Sequence, residues 1–376
     1  MPRWPVAPAC ACVVVLRAAT LAQAQSPRDL YTRAAQLESQ GNHPAALTLL
    51  WEAAGLAPRD ADIQNRLGEA LDRIGALDGA IEAYQRAVAA RPDFTDADNN
   101  LTLALAKAGR GREAVERARA RVAGAPGNVD AQFTLGLALS EQDVDEAMRT
   151  FRQVIARRPG HVLAHYNLAL VLKRLDRTKE AIGELQRALE IQPRAEAHFT
   201  LGTLYFHEGD FDRAATSLRA AIAAQPRFAD AYVTLAAVLR AKHQLPDAVD
   251  ALRRAIVLQP ESSSTHAALA TVLQLAGESE AARQEAAEAE RRRLEGQLER
   301  EAAALTAVGI ASLDSGDSTT AVERFRGAIA VDGSYAPAHY QLGRALQRAG
   351  DASGAQAAFA RARQLNPSLV PPDVIR

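Results

Sequence analysis

Histidine is the residue with the widest range of chemistry in this sequence, because imidazole binds metals and exchanges protons near neutral pH. The chain has eight histidines. His161 and His165 stand four residues apart, the spacing of two metal ligands on one helix face. However, His161 directly follows Pro159-Gly160, and His198 comes 33 residues after His165. Too few ligands converge, so we expect no metal site and interpret these histidines as packing residues.

Other groups that commonly carry catalysis are scarce or lack the required spacing. The two cysteines, Cys10 and Cys12, lie near the N-terminus, which excludes disulfides and thiolate chemistry from the rest of the chain. Glycine-rich phosphate and dinucleotide loops, the zinc-protease helix motif and the nucleophile elbow are absent from the sequence. The net charge of −1 provides no attraction for nucleic acid. The sequence predicts a chain that is not an enzyme, holds no cofactor and binds no nucleic acid.

The first 24 residues have the features of an export signal. Arg3 provides a positive start, residues 9–16 are apolar, and Ala22-Gln23-Ala24 is a typical cleavage site. Arg17 is atypical, which leaves open an uncleaved anchor or a segment that does not act as a signal. The apolar stretch is too short to span a bilayer as a stable helix. We expect cleavage after Ala24, export to the periplasm or cell envelope, and no transmembrane span in the mature chain.

Prolines recur along the rest of the chain at a nearly constant distance. Their successive separations are 34, 34, 33, 34, 33 and 34 residues, for Pro58, Pro92, Pro126, Pro159, Pro193, Pro226 and Pro260. Alanine recurs with the same period, at Ala46, Ala80, Ala114, Ala147, Ala181, Ala214, Ala248, Ala282, Ala321 and Ala355. Such a period indicates an array of stacked structural units.

Each unit has the pattern of two short helices, as residues 61–94 illustrate. A first apolar stripe at helical spacing surrounds Gly68, and Gly75 is suited to end that helix. A second stripe contains Tyr84, and Pro92 stops the second helix. The small Gly68 allows the two helices to approach closely, and Tyr84 fills the space beside it.

This pattern resembles the tetratricopeptide repeat family, of the bacterial exported type, over roughly residues 27–369. The first helix carries a small residue, at Ala34, Gly68, Gly136, Ala169, Gly202, Ala236, Ala270, Gly309 and Gly343. The second helix carries the recurring alanine and, four residues later, a large residue, at Leu50, Tyr84, Phe151, Leu185, Leu218, Leu252, Phe325 and Phe359. The resemblance implies an all-α fold, a right-handed α-solenoid (superhelix) of about ten helix-turn-helix units.

The predicted organisation has one irregularity. Residues 279–304 are helix-forming and lack proline, so the second helix of unit eight is expected to run on toward unit nine, with Gly296 as the place of a kink. The predicted segments are a signal peptide at 1–24, units one to eight at 27–296, a charged helical insertion at 297–301, units nine and ten at 302–369, and a tail at 370–376.

Stacked helix pairs form a concave face lined by the first helices, which makes this face the expected binding groove. The fifth residue of each first helix is expected to project there and predicts the contacts Asn65, Asn99, Phe133, Tyr166 and Phe199. Further predicted groove residues are Glu69, Arg73, Lys107, Lys173, Phe206 and Arg240. Amides can bond a peptide backbone and aromatic rings can hold apolar side chains. Packing between repeats is the alternative for the aromatic residues, and solvent exposure without a ligand for the amides.

The predicted function is a non-enzymatic scaffold that binds a peptide or protein segment in this groove. The alternative is an accessory or regulatory subunit of a cell-envelope enzyme or secretion complex, which positions substrate without chemistry of its own. The tail, Val370 to Ile375, contains Pro371-Pro372 and cannot continue as a capping helix. The last repeat is therefore expected to expose an apolar face, which predicts weak self-association there.

Overall fold

The chain is described by a computed structural model over residues 26–367 and residue 369. All regular elements in these ranges are α-helices, joined by short turns into successive helix pairs. The chain divides into two compact units, one up to residue 187 and one from residue 188. The predicted signal peptide and the tail at 370–376 lie outside the described residues. The predicted all-α solenoid is confirmed.

The first unit contains five first helices and five second helices of the pairs. In chain order these are α1 (Pro27–Ser39), α2 (His43–Leu56), α3 (Ala61–Arg73), α4 (Leu77–Ala90), α5 (Thr95–Lys107), α6 (Gly111–Gly124), α7 (Val129–Leu139), α8 (Val144–Arg157), α9 (Val162–Arg174) and most of α10 (Thr178–Ile191). We call the odd-numbered helices of this unit A helices and the even-numbered ones B helices. Each of the first four A helices packs against its own B helix, and α5 also packs directly against α3 and α7.

The second unit continues the same alternation. Its helices are α11 (Ala195–His207), α12 (Phe211–Ala224), α13 (Ala229–Ala241), α14 (Leu245–Leu258), α15 (Ser263–Leu275), α16 (Ser279–Asp314), α17 (Ser318–Val331), α18 (Ala336–Arg348) and α19 (Ala352–Leu365). Nowhere in the described ranges does a helix combine the length and the apolar character needed to cross a membrane.

The long helix α16 spans the irregular region of the sequence. It is continuous for 36 residues and passes through Gly296, as the absence of proline predicts. Its first part packs against α15 and its last part against α17 and α18, so one helix serves two successive pairs. The predicted insertion at 297–301 lies inside it. Exposed ion pairs on this helix, such as Arg293 with Glu290, stabilise its solvent-facing side.

The turns after the first helices require a left-handed residue. Gly75 has a φ of 77°, as expected for a glycine that ends a helix. In two turns a residue with a side chain takes this conformation, Asp176 at 55° and His243 at 60°. Glycine would adopt this positive φ with less backbone strain than Asp176 or His243 does.

One contact brings the two helices of a pair together, and in most pairs the sizes of its two residues are complementary, the exceptions including Gly202 with Leu218. Glycine faces an aromatic ring in four pairs, at Gly68–Tyr84, Gly136–Phe151, Gly309–Phe325 and Gly343–Phe359. Alanine and leucine occupy the same positions in three pairs, at Ala34–Leu50, Ala169–Leu185 and Ala236–Leu252. A Cβ atom added to Gly136 would lie 2.6 Å from Cε1 of Phe151. The larger ring therefore requires the smaller partner.

The third pair departs from this pattern. Its equivalent positions hold Thr102 and Ala118, and an ionic cluster joins the two helices instead. Asp98 of α5 is 9% exposed and pairs with Arg117 and with Arg121, at 2.8 Å for the latter. Polar groups buried in this way need such partners, because an unpaired charge is costly to remove from water.

His161 caps the N-terminus of α9. Its Nδ1 accepts the backbone N–H of Ala164 at 3.2 Å, which requires a ring that is unprotonated at that nitrogen. Burial of the imidazole and the charge of Arg158 lower the pKa of His161. Burial also lowers the pKa of His198. Both side chains therefore favour the neutral form in the folded chain.

Exchanging the residues of the glycine–aromatic contact tests the size rule. We expect Gly136→Ala to lower the free energy of unfolding by about 1–3 kcal/mol, because the new methyl group overlaps the ring of Phe151. Adding Phe151→Leu should restore part of this loss, with a coupling of about 1 kcal/mol in a double-mutant cycle measured by urea unfolding. Additive effects would contradict the rule. As a control, Gly183→Ala meets no atom within 4 Å in α10 and should stabilise by about 0.5–1 kcal/mol.

The His161 cap predicts a pH dependence of stability. The unfolded chain, with a His161 pKa near the ordinary value of about 6.5, binds more protons than the folded chain between the lowered pKa and that value. The stabilisation is therefore full above about pH 6.5 and is lost as the pH falls through this window. His161→Asn keeps a capping side chain that does not titrate, so it should match the wild type within about 0.5 kcal/mol at pH 7.5 and exceed it at pH 5.5.

His161→Ala is the control for the cap itself. It removes the acceptor at any pH and should cost about 1 kcal/mol at pH 7.5. Urea unfolding at several pH values measures both effects. Parallel pH profiles of the wild type and His161→Asn would rule out His161 as the titrating group.

Candidate functional site

The histidines with the spacing of a metal pair are held by structural hydrogen bonds. His165 is 3% exposed, with Nδ1 at 2.6 Å from Oε2 of Glu184 and Nε2 at 2.9 Å from the carbonyl oxygen of Pro159. His266 repeats this arrangement with Glu285, at 2.7 Å, and with the carbonyl of the preceding proline. Within residues 26–367 and 369, no three His, Cys, Asp or Glu side chains are placed to hold a metal.

This hydrogen bond recurs at the fourth position of three other first helices, with different residues. The same carbonyl, six residues earlier, is bound by Gln64 at 3.2 Å, by Tyr232 at 3.4 Å and by His339 at 3.1 Å. That carbonyl follows the end of the preceding B helix, where backbone oxygens lack helical partners. In these five helices the fourth position therefore joins one pair to the next, which is a structural role.

An ionic network occupies three of the predicted groove residues in α3. The carboxylate of Glu38, on α1, is 6% exposed and binds the guanidinium groups of Arg66 and Arg73, at 3.0 Å for Arg73. Glu69 pairs with Arg66 at 3.0 Å and accepts a hydrogen bond from Asn65 at 2.9 Å. Asn65 is 7% exposed. Asn65, Glu69 and Arg73 thus bind one another or α1.

Two predicted groove residues of α5 also contact neighbouring A helices. Oδ1 of Asn99 accepts hydrogen bonds from Thr134 Oγ1 at 2.9 Å and from Arg121 at 2.8 Å. Nζ of Lys107 pairs with Asp72 of α3 at 2.7 Å, but this lysine remains exposed. These bonds link α5 to α3 and α7, so the amide of Asn99 is engaged within the chain.

The predicted aromatic residues of the first unit are half-buried. The ring of Phe133 lies 5.8 Å from that of Phe151 on α8 and 4.7 Å from that of His161, so it packs between helices. Tyr166 lies on α9 at the equivalent position and keeps part of its surface exposed. Phe133 has the packing role that the sequence left as an alternative.

Three predicted residues lie in the second unit. Phe199 packs against Phe228, with ring centroids 4.8 Å apart, and Phe206 packs against Phe211 at 5.9 Å. Arg240 is exposed on α13. The two phenylalanines are half-buried against neighbouring rings.

A groove of about 590 Å³ lies in the first unit, across α5, α7 and α9. Leu103, Leu137 and Leu170 line it, one from each helix, and all three are half-buried. The predicted residues Lys107 and Lys173 stand at its edge. The structure thus brings these two lysines to one apolar surface, which we call the leucine groove.

The edge of the leucine groove is polar. Arg174 of α9 pairs with Glu141 at 2.7 Å and also donates to the carbonyl oxygen of Ser140, which ties α9 to the end of α7. Asn167 bonds its own helix through Nδ2, at 2.8 Å from the carbonyl oxygen of Leu163. Lys173 is exposed and has no hydrogen-bond or ion-pair partner among the described residues. It is a free cation beside an apolar surface.

The sequence contains a pattern that identifies this groove, although the fifth-position analysis missed it. The three leucines each occupy the ninth position of their helix. Other first helices have different residues at that position, namely Ala35, Glu69, Thr203, Ala237, Thr271 and Arg344. The last part of α16 holds Ile310 at the equivalent position, between a threonine and an arginine in the neighbouring first helices. Three consecutive leucines at this position mark a local apolar surface.

Several solved structures are similar to this chain in fold. A tetratricopeptide repeat protein from Parabacteroides merdae is 18% identical with a TM-score of 0.49, covering 66% of this chain and 99% of that one. MamA from Desulfovibrio magneticus is 22% identical with a TM-score of 0.38, covering 44% and 94%. YrrB, described as a TPR protein with an unusual peptide-binding site, is 23% identical with a TM-score of 0.36, covering 48% and 91%. No curated protein sequence matches the chain significantly.

Sequence models of one repeat family match most of the chain. A model described as tetratricopeptide repeat matches residues 31–93, 199–263 and 307–370, which together are more than half of the chain. A second model with the same description matches residues 138–201, where α9 and much of the leucine groove lie. The chain therefore belongs to the tetratricopeptide repeat family.

Proposed function

We propose that this chain is a non-enzymatic scaffold that holds a segment of another protein in the leucine groove. The observation that carries the proposal is an apolar surface formed by Leu103, Leu137 and Leu170 with the unpaired Lys173 at its edge. Apolar surface removed from water supplies affinity, and a few polar groups at the edge supply orientation. Both are present in one concave site.

The length of the groove supports a polypeptide as the ligand. Neighbouring helices pack about 8–10 Å apart, so a surface across three A helices is roughly 16–20 Å long. An extended chain of about six residues has this length. A ligand of that kind can contact all three leucines at once.

The groove is also held in place by bonds that need no ligand. Thr134 of α7 donates to Asn99 of α5, and Arg174 of α9 pairs with Glu141 at the end of α7. These bonds fix the spacing of the three helices before a partner arrives. A preformed site loses less conformational entropy on binding, which favours affinity.

We also propose that the chain is exported, since residues 1–24 have a positive start, an apolar stretch and an Ala-Gln-Ala cleavage site. N-terminal sequencing of the chain purified from the cell envelope tests this. A mature chain that begins at Gln25 is the expected result. A chain that retains Met1 or Pro2 in the cytoplasm would contradict export.

Photo-crosslinking in the native host tests the groove. A benzophenone amino acid at Ser140, inside the groove, should give discrete crosslinked partner proteins. Adding Leu137→Glu should reduce these products about tenfold, because a charge replaces buried apolar surface at the centre of the groove. Circular dichroism and the melting temperature establish that the variant is folded.

Two controls accompany this experiment. Leu163→Glu changes the same residue type on α9, at a 40% exposed position that does not line the groove, and should leave the crosslinks unchanged. The benzophenone at Ala156, exposed on α8, should not give the same products. Equal crosslinking with and without Leu137→Glu would overturn the proposed function.

A further inference from the structure

The leucine groove repeats one apolar side chain per pair of helices. Leu103, Leu137 and Leu170 occupy the same helical position on three successive A helices, so they point in the same direction from each. Their spacing therefore follows the spacing of the helices, about 8–10 Å. A matching ligand must present apolar side chains at this interval.

Three regular conformations of a peptide present side chains at different intervals. A β-strand repeats one face every two residues, or about 6.6–6.8 Å. An α-helix repeats a face at each turn, or about 5.4 Å. Polyproline II has three residues per turn and a rise of about 3.1 Å, so it repeats a face every 9.3 Å or so. The last interval matches one side chain per helix with the shortest sequence repeat, whereas an α-helix comes near it only with apolar residues seven positions apart, at about 10.5 Å.

Charge at the edge of the groove indicates the polarity of the ligand. Lys107 and Arg174 are each neutralised by one carboxylate, Asp72 and Glu141 respectively. Lys173 has no such partner in the described ranges and remains as the uncompensated charge. A carboxylate on the ligand near α9 would complement it.

We propose that the leucine groove binds a polyproline II segment that carries an apolar side chain at every third residue and an acidic residue at the end that reaches Lys173. This inference rests on the proposed function and specifies the ligand of the same groove. Apolar residues at positions i, i+3 and i+6 then contact Leu103, Leu137 and Leu170, one for each helix.

Synthetic peptides of equal composition test the spacing. The probe DLPSLPSLD, blocked at both ends, has leucine at every third residue and an acid at each end, so it serves either chain direction. The permuted peptide DLPLPLSSD places the leucines at every second residue. Fluorescence anisotropy with the full chain should give a dissociation constant about tenfold lower for the probe than for the permuted peptide, because only the probe aligns all three leucines.

The charge contact is tested by a double exchange. Replacing both Asp residues of the probe by Asn should weaken binding about threefold at low salt, as for an exposed ion pair. Lys173→Gln should weaken binding by the same factor and abolish the difference between the Asp and Asn probes. Lys179→Gln, an exposed lysine of α10 outside the groove, should leave that difference intact.

The outcomes distinguish this inference from the proposed function. Equal binding of the permuted peptide, or tighter binding of an alanine-rich helical peptide with leucines seven residues apart, overturns the spacing. If Leu137→Glu abolishes the binding of whichever of these two peptides binds, the groove still holds a peptide segment and the proposed function stands. If the probe binds the Leu137→Glu variant as tightly as the wild type, both the inference and the proposed function are overturned. An Asp–Asn difference that persists in Lys173→Gln overturns the charge contact.

Discussion

The contact between a small residue of the first helix and a large residue of the second is the constraint on which the other features depend. Gly136 and Phe151 illustrate it, because no Cβ atom fits between the glycine and the ring. The summed size of the two residues sets how far apart the helices lie. Glycine accompanies an aromatic residue in four pairs and alanine accompanies leucine in three, whereas Gly202 faces Leu218 and the third pair has an ionic cluster instead. Equivalent positions on successive first helices follow the sequence period, which allows the three leucines to form one surface.

Local and periodic features were predictable from the sequence. Proline and glycine end helices through their own backbone preferences, so Gly75 and the uninterrupted α16 follow from residues within one helix. The bonds between repeats were not predictable in the same way. Lys107 and Asp72 are 35 residues apart, and whether they meet depends on side-chain conformations and competing partners. Asn65 and Asn99 were predicted to meet a ligand, but in the structure each bonds other side chains of the chain.

The groove was only partly predictable for the same reason. The fifth and ninth positions of a helix lie on one face, a little more than a turn apart, so helical geometry directs both toward the inner side. At the fifth position, the neighbouring repeats engage Asn99, and Phe133 packs against α8. At the ninth position, Leu103 and Leu137 have apolar side chains that no polar neighbour can engage. The sequence predicted Lys107 and Lys173 as groove residues, and the structure places both at the edge of the leucine groove, whereas the free surface itself depends on contacts between repeats.

Residues that set the packing of the helices and residues at the ninth position occupy different places, which explains how one framework can present different surfaces. The second unit repeats the first-helix pattern, but its ninth positions hold Thr203, Ala237, Thr271, Ile310 and Arg344, so no two neighbouring first helices there both present a large apolar residue. Its packing does not require larger residues there, because the contact between the helices of a pair lies at other positions. Residues that fix the spacing are therefore constrained by size, whereas the ninth position holds leucine, isoleucine, alanine, threonine, glutamate or arginine in different first helices. Because the framework tolerates this range, a run of leucines can form a local apolar surface on three adjacent helices without a change in the fold.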